Sequence, residues 1–111
     1  PIDIERLHEV RSLLARSVAQ RPSIVDLSRK VGINRNKLSY GFKHLFDTTI
    51  SEFCQENRLQ AGWELLRDKS VPIALVAEQV GYTQSAAFSN AFRTRFGISP
   101  RQARQGTAAK L

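Results

Sequence analysis

The stretch "GYTQSAAFSNAFRTRFGISP", residues 81–100, decides how this chain is read. Phe88, Phe92 and Phe96 recur at four-residue spacing, which places them on one face of a helix. The residues around the first of them are small or polar: Ser85, Ala86, Ala87, Ser89 and Asn90. A helix that needed only solubility would carry Glu and Lys on that outer face. The pattern therefore predicts a helix with a heavy inner face and a light outer face that something can approach closely.

Working upstream, "PIALVAEQVGYT" at residues 72–83 matches "SIVDLSRKVGIN" at residues 23–34 with an offset of 49. Leu27 pairs with Val76, Val31 with Val80, and Gly32 with Gly81. Past the turn the offset becomes 50, pairing Leu38 with Phe88, Phe42 with Phe92, and Phe46 with Phe96. Pro22 and the pair Ser23/Asp26 mark a helix start, Gly32 marks its end, and Asn34 is a good N-cap for the next helix. A short apolar helix, a three-residue turn with Gly and a second helix make the helix-turn-helix outline. It occurs twice, over residues 22–47 and 71–97. Two copies are too few for a solenoid.

The intervening stretch "TISEFCQENRLQAGWELLRD" predicts one long linker helix over 49–68, with 69 completing the segment. Ile50, Phe53, Leu59, Trp63 and Leu66 give it apolar contacts on more than one side. Gly62 in its interior costs about 1 kcal/mol against Ala, which close approach of another backbone would explain. At the start of the chain, Leu7, Val10, Leu14 and Val18 form a further helical stripe ending near "QRPS", with Arg6, Arg11 and Arg16 off it. No alternating β-branched run is long enough for a strand. The fold class is all-α: two helix-turn-helix subdomains joined by a long helix.

A chain of 111 residues with 41% hydrophobic content supports one ordinary domain, or two very small ones. No apolar run approaches the roughly 18 residues of a membrane span, and no signal peptide is visible. The absence of Met at Pro1 suggests a fragment. Cys54 stands alone, which excludes an internal disulfide and fits a reducing, cytoplasmic compartment; beside Phe53 it reads as a buried small hydrophobe. Seventeen basic against ten acidic residues give net +7. The surplus sits in residues 22–48 and 98–111, while 49–70 is slightly acidic. A basic surplus suits a polyanionic partner such as nucleic acid.

The second helix of each unit, about 34–46 and 84–96, has a face suited to a DNA major groove. The first shows Arg35, Asn36, Ser39, Tyr40 and Lys43; the second shows Gln84, Ser85, Ala86, Ser89, Asn90 and Arg93. Asn and Gln pair with adenine, Arg and Lys with guanine, Ser with either, and Ala meets a thymine methyl. Neither face carries Asp or Glu, which phosphates would repel. Tyr40 falls on the polar face, where it can stack on the sugar–phosphate or cover its helix.

The chain resembles the C-terminal DNA-binding domain of AraC/XylS-type transcription regulators over nearly its whole length. The residues carrying the resemblance are Arg58-Leu59, Leu65-Leu66, Ile73, Val76-Ala77, Gly81-Tyr82, Phe88, Phe92, Phe96-Gly97, Ser99-Pro100 and Arg104. The resemblance implies about seven helices, a rigid linker helix, and one recognition helix in each of two successive major-groove segments of double-stranded DNA. By the same resemblance Asn36, Ser39, Tyr40, Ser85, Ala86 and Asn90 read bases, and Arg35, Lys43, Thr83 and Arg93 contact phosphates, together with helix N-terminal amides. It further implies a bacterial, cytoplasmic regulator, an activator rather than a repressor, contact with RNA polymerase, and a monomeric isolated domain. The family's effector or dimerisation domain is absent from these residues.

The sequence departs from the family at Gly62, where Ala is common, at Asn90, where Arg is frequent, at Ala86, where a small polar residue is usual, and at Ala103, where an aromatic is usual. Asn90 removes guanine readout from that position and shifts the second unit toward phosphates and DNA shape. "KLSYGFKHLFDTTISEF", residues 37–53, also resembles members that respond to siderophores.

Enzymatic chemistry finds no footing. His8 and His44 are far apart, Cys54 has no partner, no metal-ligand spacing exists, and the six Gly are scattered rather than gathered into a phosphate loop. No cofactor and no membrane partner is expected. The alternative is a helical protein-interaction module with only non-specific affinity for polyanions.

Overall fold

A computed structural model describes residues 3–106 of the chain. Among them are seven α-helices and no strand: α1 (Ile4–Arg16), α2 (Ile24–Val31), α3 (Arg35–Phe46), α4 (Ile50–Leu65), α5 (Ile73–Gln79), α6 (Ser85–Phe96) and α7 (Pro100–Arg104). Lys110, part of the expected basic tail, lies outside the described residues. No helix among the described residues is long and apolar enough to cross a membrane. The chain divides into two units, one through Glu56 and one from Asn57.

The first unit is built by local signals that agree with one another. Asp3 caps α1, its side chain accepting from the Arg6 N–H. Ser23 caps α2 by accepting from the Asp26 N–H at 3.1 Å. Gly32 closes α2 in the left-handed conformation at φ 72°, and both its N–H and that of Ile33 donate to the Ser28 carbonyl. The Ser28 hydroxyl in turn donates to the Ile33 carbonyl. Asn34 then caps α3, its Oδ1 accepting from the Lys37 N–H at 2.9 Å. Helix, three-residue turn and helix follow as the sequence predicts. The core comprises Leu7, Val10, Leu14, Leu27, Val31, Leu38, Phe42, Ile50 and Cys54, so Cys54 is the buried small hydrophobe expected.

The off-stripe arginines of α1 have structural partners. Arg6 pairs with Asp3 (Nε to Oδ2, 3.0 Å) and donates from Nη1 to the Gly32 carbonyl at 3.1 Å. Arg11 lies over the rings of Phe46 and Phe53. Val18 does not extend the α1 stripe. The helix stops at Arg16, with Ser17 at φ −138°, and Val18 is half-buried beyond it. Ser and a β-branched Val hold a helix end poorly.

In the second unit the core is Leu59, Leu66, Val76, Ala77, Val80, Phe88, Phe92 and Phe96. The extra residue behind the change of offset sits in the turn. Residues 32–34 join α2 to α3, whereas Val80 to Gln84 separate α5 from α6. One of the two additional residues is Val80, the match of Val31, because α5 ends one residue earlier than α2, and the other is the insertion. Gly97 closes α6 at φ 81°, and Asp47 holds the matching position after α3 at φ 57°. A capping box between Ser99 and Gln102, with Pro100 at the helix start, sets α7.

α4 begins on a second capping box. The Thr49 N–H donates to Glu52 Oε1 at 2.9 Å and the Glu52 N–H to Thr49 Oγ1 at 3.0 Å. It sends Ile50 and Cys54 into the first core and Leu59 into the second, which accounts for its apolar residues on more than one side. The regular helix ends at Leu65, not at Asp68. Arg67 and Asp68 donate to carbonyls only three residues back, tightening the last turn. The carbonyls freed there are taken by Arg104, which donates from Nε to Leu66 at 3.0 Å and from Nη2 to Asp68 at 3.3 Å. Gly62 has a close neighbour, but it is the Phe88 ring and not another backbone.

Candidate nucleic-acid interface

Two helices carry the residues singled out by sequence, and both bury the opposite face. In α3, Leu38 and Phe42 are fully buried, and Gly41 lies with them. That burial fixes the helix rotation, so Arg35, Asn36, Ser39, Tyr40 and Lys43 are all exposed. Side chains in contact with the core cannot turn outward without opening a cavity, so the face of α3 that is left exposed is fixed.

α6 repeats the arrangement. Phe88, Phe92 and Phe96 are at most 1% exposed and form a continuous ring series, with Phe92 stacked on Trp63 at 5.5 Å between centroids. The Phe row is core, as its spacing predicts. Ser85, Ala86, Asn90 and Arg93 are exposed, as is Thr83 just before the helix, while Ser89 is half-buried. Gln84 makes no side-chain cap hydrogen bond, unlike Asn34 of α3. The first-turn amides of α6 therefore lack the side-chain acceptor that α3 has.

The charge on both helices has one sign. α3 holds Arg35, Lys37 and Lys43, α6 holds Arg93 and Arg95, and neither holds a carboxylate. Two carboxylates with shifted ionisation lie elsewhere. Glu52 is held below its ordinary range chiefly by the Thr49 backbone N–H, then by the Thr49 hydroxyl, with a smaller attraction from Lys43. Asp68 is lowered by hydrogen bonds from the Ser70 hydroxyl and N–H, with attraction from Arg104.

Three residues of the first unit join the face that sequence reading assembled. Tyr40 is 68% exposed, and its ring lies parallel to His44 at 6.0 Å between centroids. The i,i+4 spacing of these two rings was the available signal. Lys37 shares a cleft of about 500 Å3 with Arg6, Asn34 and Tyr40. Its spacing of three from Tyr40 placed it there; the approach of Arg6 is tertiary and had no sequence signal.

Comparison with known proteins agrees with this architecture. The helix-turn-helix domain family matches residues 27–106. The regulatory protein PchR of Pseudomonas aeruginosa is 39% identical over 71 residues, 64% of this chain and 24% of that protein. The HTH-type transcriptional activator RhaR of Mannheimia succiniciproducens is 30% identical over 102 residues, 92% of this chain and 37% of that protein. The chain thus spans well under half of these relatives' length.

Among solved structures, an AraC-type DNA-binding transcriptional regulator from Chromobacterium violaceum superposes with TM-score 0.85 at 30% identity, covering 94% of this chain and 93% of that one. The DNA-binding domain of AdpA, solved in complex with a target DNA, shares the fold with TM-score 0.81 at 20% identity, covering 90% of each chain. With a family match over most of its length and an AraC-type structural relative 30% identical over nearly all of both chains, the chain belongs to the AraC/XylS-type family of helix-turn-helix DNA-binding transcription regulators.

Proposed function

We propose that this chain binds double-stranded DNA sequence-specifically, with α3 and α6 as recognition helices in successive major-groove segments. In this reading Asn36, Ser39 and Tyr40 of the first unit and Ser85, Ala86 and Asn90 of the second read base edges. Arg35, Lys43, Thr83 and Arg93 contact phosphates, and the uncapped first turn of α6 adds backbone N–H donors. Asn90 offers no bidentate guanine contact, so the first unit supplies more of the sequence readout and the second relies more on phosphates and DNA shape.

The observation that carries the reading is shared by the two helices. Each buries an apolar row, Leu38 and Phe42 in α3 and Phe88, Phe92 and Phe96 in α6, and leaves the residues named above exposed, with no carboxylate anywhere along either helix. The reading extends to transcriptional activation, in keeping with the activator RhaR among the relatives. RNA polymerase is the partner for that role, and the isolated domain is a monomer.

The test is selection of bound sites from a random-sequence duplex pool at near-physiological salt. Enrichment of a two-part motif with centres about 10 bp apart is the expected result. Binding without enrichment that vanishes as salt rises would leave charge alone, and the chain would then be an interaction module with non-specific affinity.

A further inference from the structure

The first unit has a second concave feature, built without α3. A groove of about 700 Å3 is lined by the C-terminal end of α1, the connection that follows it and one side of α2. Its floor is apolar, made by Leu13, Pro22 and Leu27. Its rim is basic, made by Arg16 in the last turn of α1 and by Arg29 and Lys30 in the last turn of α2. Asp26 is the one carboxylate in the lining.

None of the three cations is in an ion pair among the described residues; Arg16 reaches only the Ser12 carbonyl, at 3.4 Å. Cations at helix C-termini complement the helix dipole, which accounts for positive charge at these places. It does not account for an open apolar trough between them. A nucleic-acid backbone offers phosphates to such a rim but has nothing aliphatic to fill the floor. A protein segment offers both: an apolar side chain as anchor and carboxylates around it.

We infer that this groove docks an acidic segment of a partner protein. One or two aliphatic or aromatic side chains lie over Leu13, Pro22 and Leu27, and flanking Asp or Glu side chains meet Arg16, Arg29 and Lys30. The volume is in the range that accepts such side chains. The groove draws on no residue of α3, so the docking does not depend on the DNA-binding reading.

The test is an NMR titration of the isotope-labelled chain with three probes. The first is a synthetic amidated peptide alternating Asp and Glu around one Leu and one Phe. The second is the same peptide with Ser at both apolar positions, and the third is a random-sequence DNA duplex. Shifts from the first peptide centred on Leu13, Arg16, Leu27, Arg29 and Lys30 are expected, with about tenfold weaker binding of the Ser peptide. Arg29→Glu with Lys30→Glu should weaken the first peptide by about tenfold or more at unchanged melting temperature. If that reversal lowers melting, Arg29→Gln with Lys30→Gln replaces it and should weaken the same peptide. Equal binding of the two peptides, shifts spread equally onto Arg35 and Lys43, or no binding at all would overturn the inference. So would duplex DNA that shifts the groove residues as the peptide does, since the groove would then be a phosphate contact.

Discussion

A Cβ placed on Gly62 would stand 2.7 Å from Cε1 of Phe88 and 2.8 Å from its Cζ. The ring cannot simply retreat. It is fully buried, with Tyr82 at 5.5 Å and Phe92 at 5.6 Å between centroids. Gly62→Ala gains about 1 kcal/mol of helix propensity. It forces an overpacking cost of about 1–3 kcal/mol. The expected net is a loss of about 1 kcal/mol, read as melting lower by about 4–8 °C. A variant melting at or above the parent would show that the ring has room to move.

Phe92→Ala should destabilise the second unit by about 3–5 kcal/mol, because Phe92 is fully buried against Trp63, Phe88 and Phe96. Chemical denaturation followed by Trp63 fluorescence reports on this core directly. An unchanged transition would contradict the packing.

These two positions mark what the sequence did and did not disclose. The buried rows Leu38/Phe42 and Phe88/Phe92/Phe96 were legible because a strict helical spacing leaves one face for the core. The turn at Gly32 and the cap at Asn34 were legible because few residue types satisfy those backbone demands. The neighbour of Gly62 was not legible, since a missing Cβ says that space is short without saying what fills it. The end of α4 was hidden for a related reason: its last carbonyls are satisfied by Arg104, 38 residues beyond Leu66. On the proposed recognition face, residue types and rotation were readable, while the Tyr40–His44 stack and the approach of Arg6 to the α2–α3 turn needed coordinates.

The matching positions Asp47 and Gly97 lead to a stabilising substitution. Both adopt the left-handed conformation after their helix, at φ 57° and 81°. That conformation costs a residue with a Cβ about 1–2 kcal/mol, with Asp at the lower end. Asp47→Gly should therefore stabilise the first unit by about 0.5 kcal/mol after the added flexibility of the unfolded chain is offset. Differential scanning calorimetry measures it, and a lower transition temperature would count against the strain.

Asn36→Ala combined with Tyr40→Ala should reduce affinity for a selected site by about 1–3 kcal/mol per lost base contact. Lys43→Ala should instead weaken all sequences alike and reduce the salt slope by about one. Competition binding across salt concentrations separates the two. A retained sequence preference in the double variant, or an unaltered slope for Lys43→Ala, would remove that residue from its proposed role.

Glu52 gives a pH-dependent contribution at the start of α4. Its carboxyl is held below its ordinary value of 4.5 by hydrogen bonds from Thr49. The box therefore stabilises the fold above that value and is lost as pH falls through the lower, folded-state value. Glu52→Gln should be less stable than the parent at neutral pH, and the difference should shrink on acidification. Parallel melting curves from neutral pH down through the carboxylate range check this, and a constant gap would refute the linkage.

Arg104 ties the order of synthesis to the order of completion. Every residue of the first core lies between Leu7 and Cys54, so that unit can close while later residues are still being added. The last turn of α4 has a different timetable. The carbonyls of Leu66 and Asp68 are made early but gain their arginine partner only when residue 104 has emerged. A ribosome stalled before that residue would hold a finished first unit and a second whose first helix is still frayed at its end.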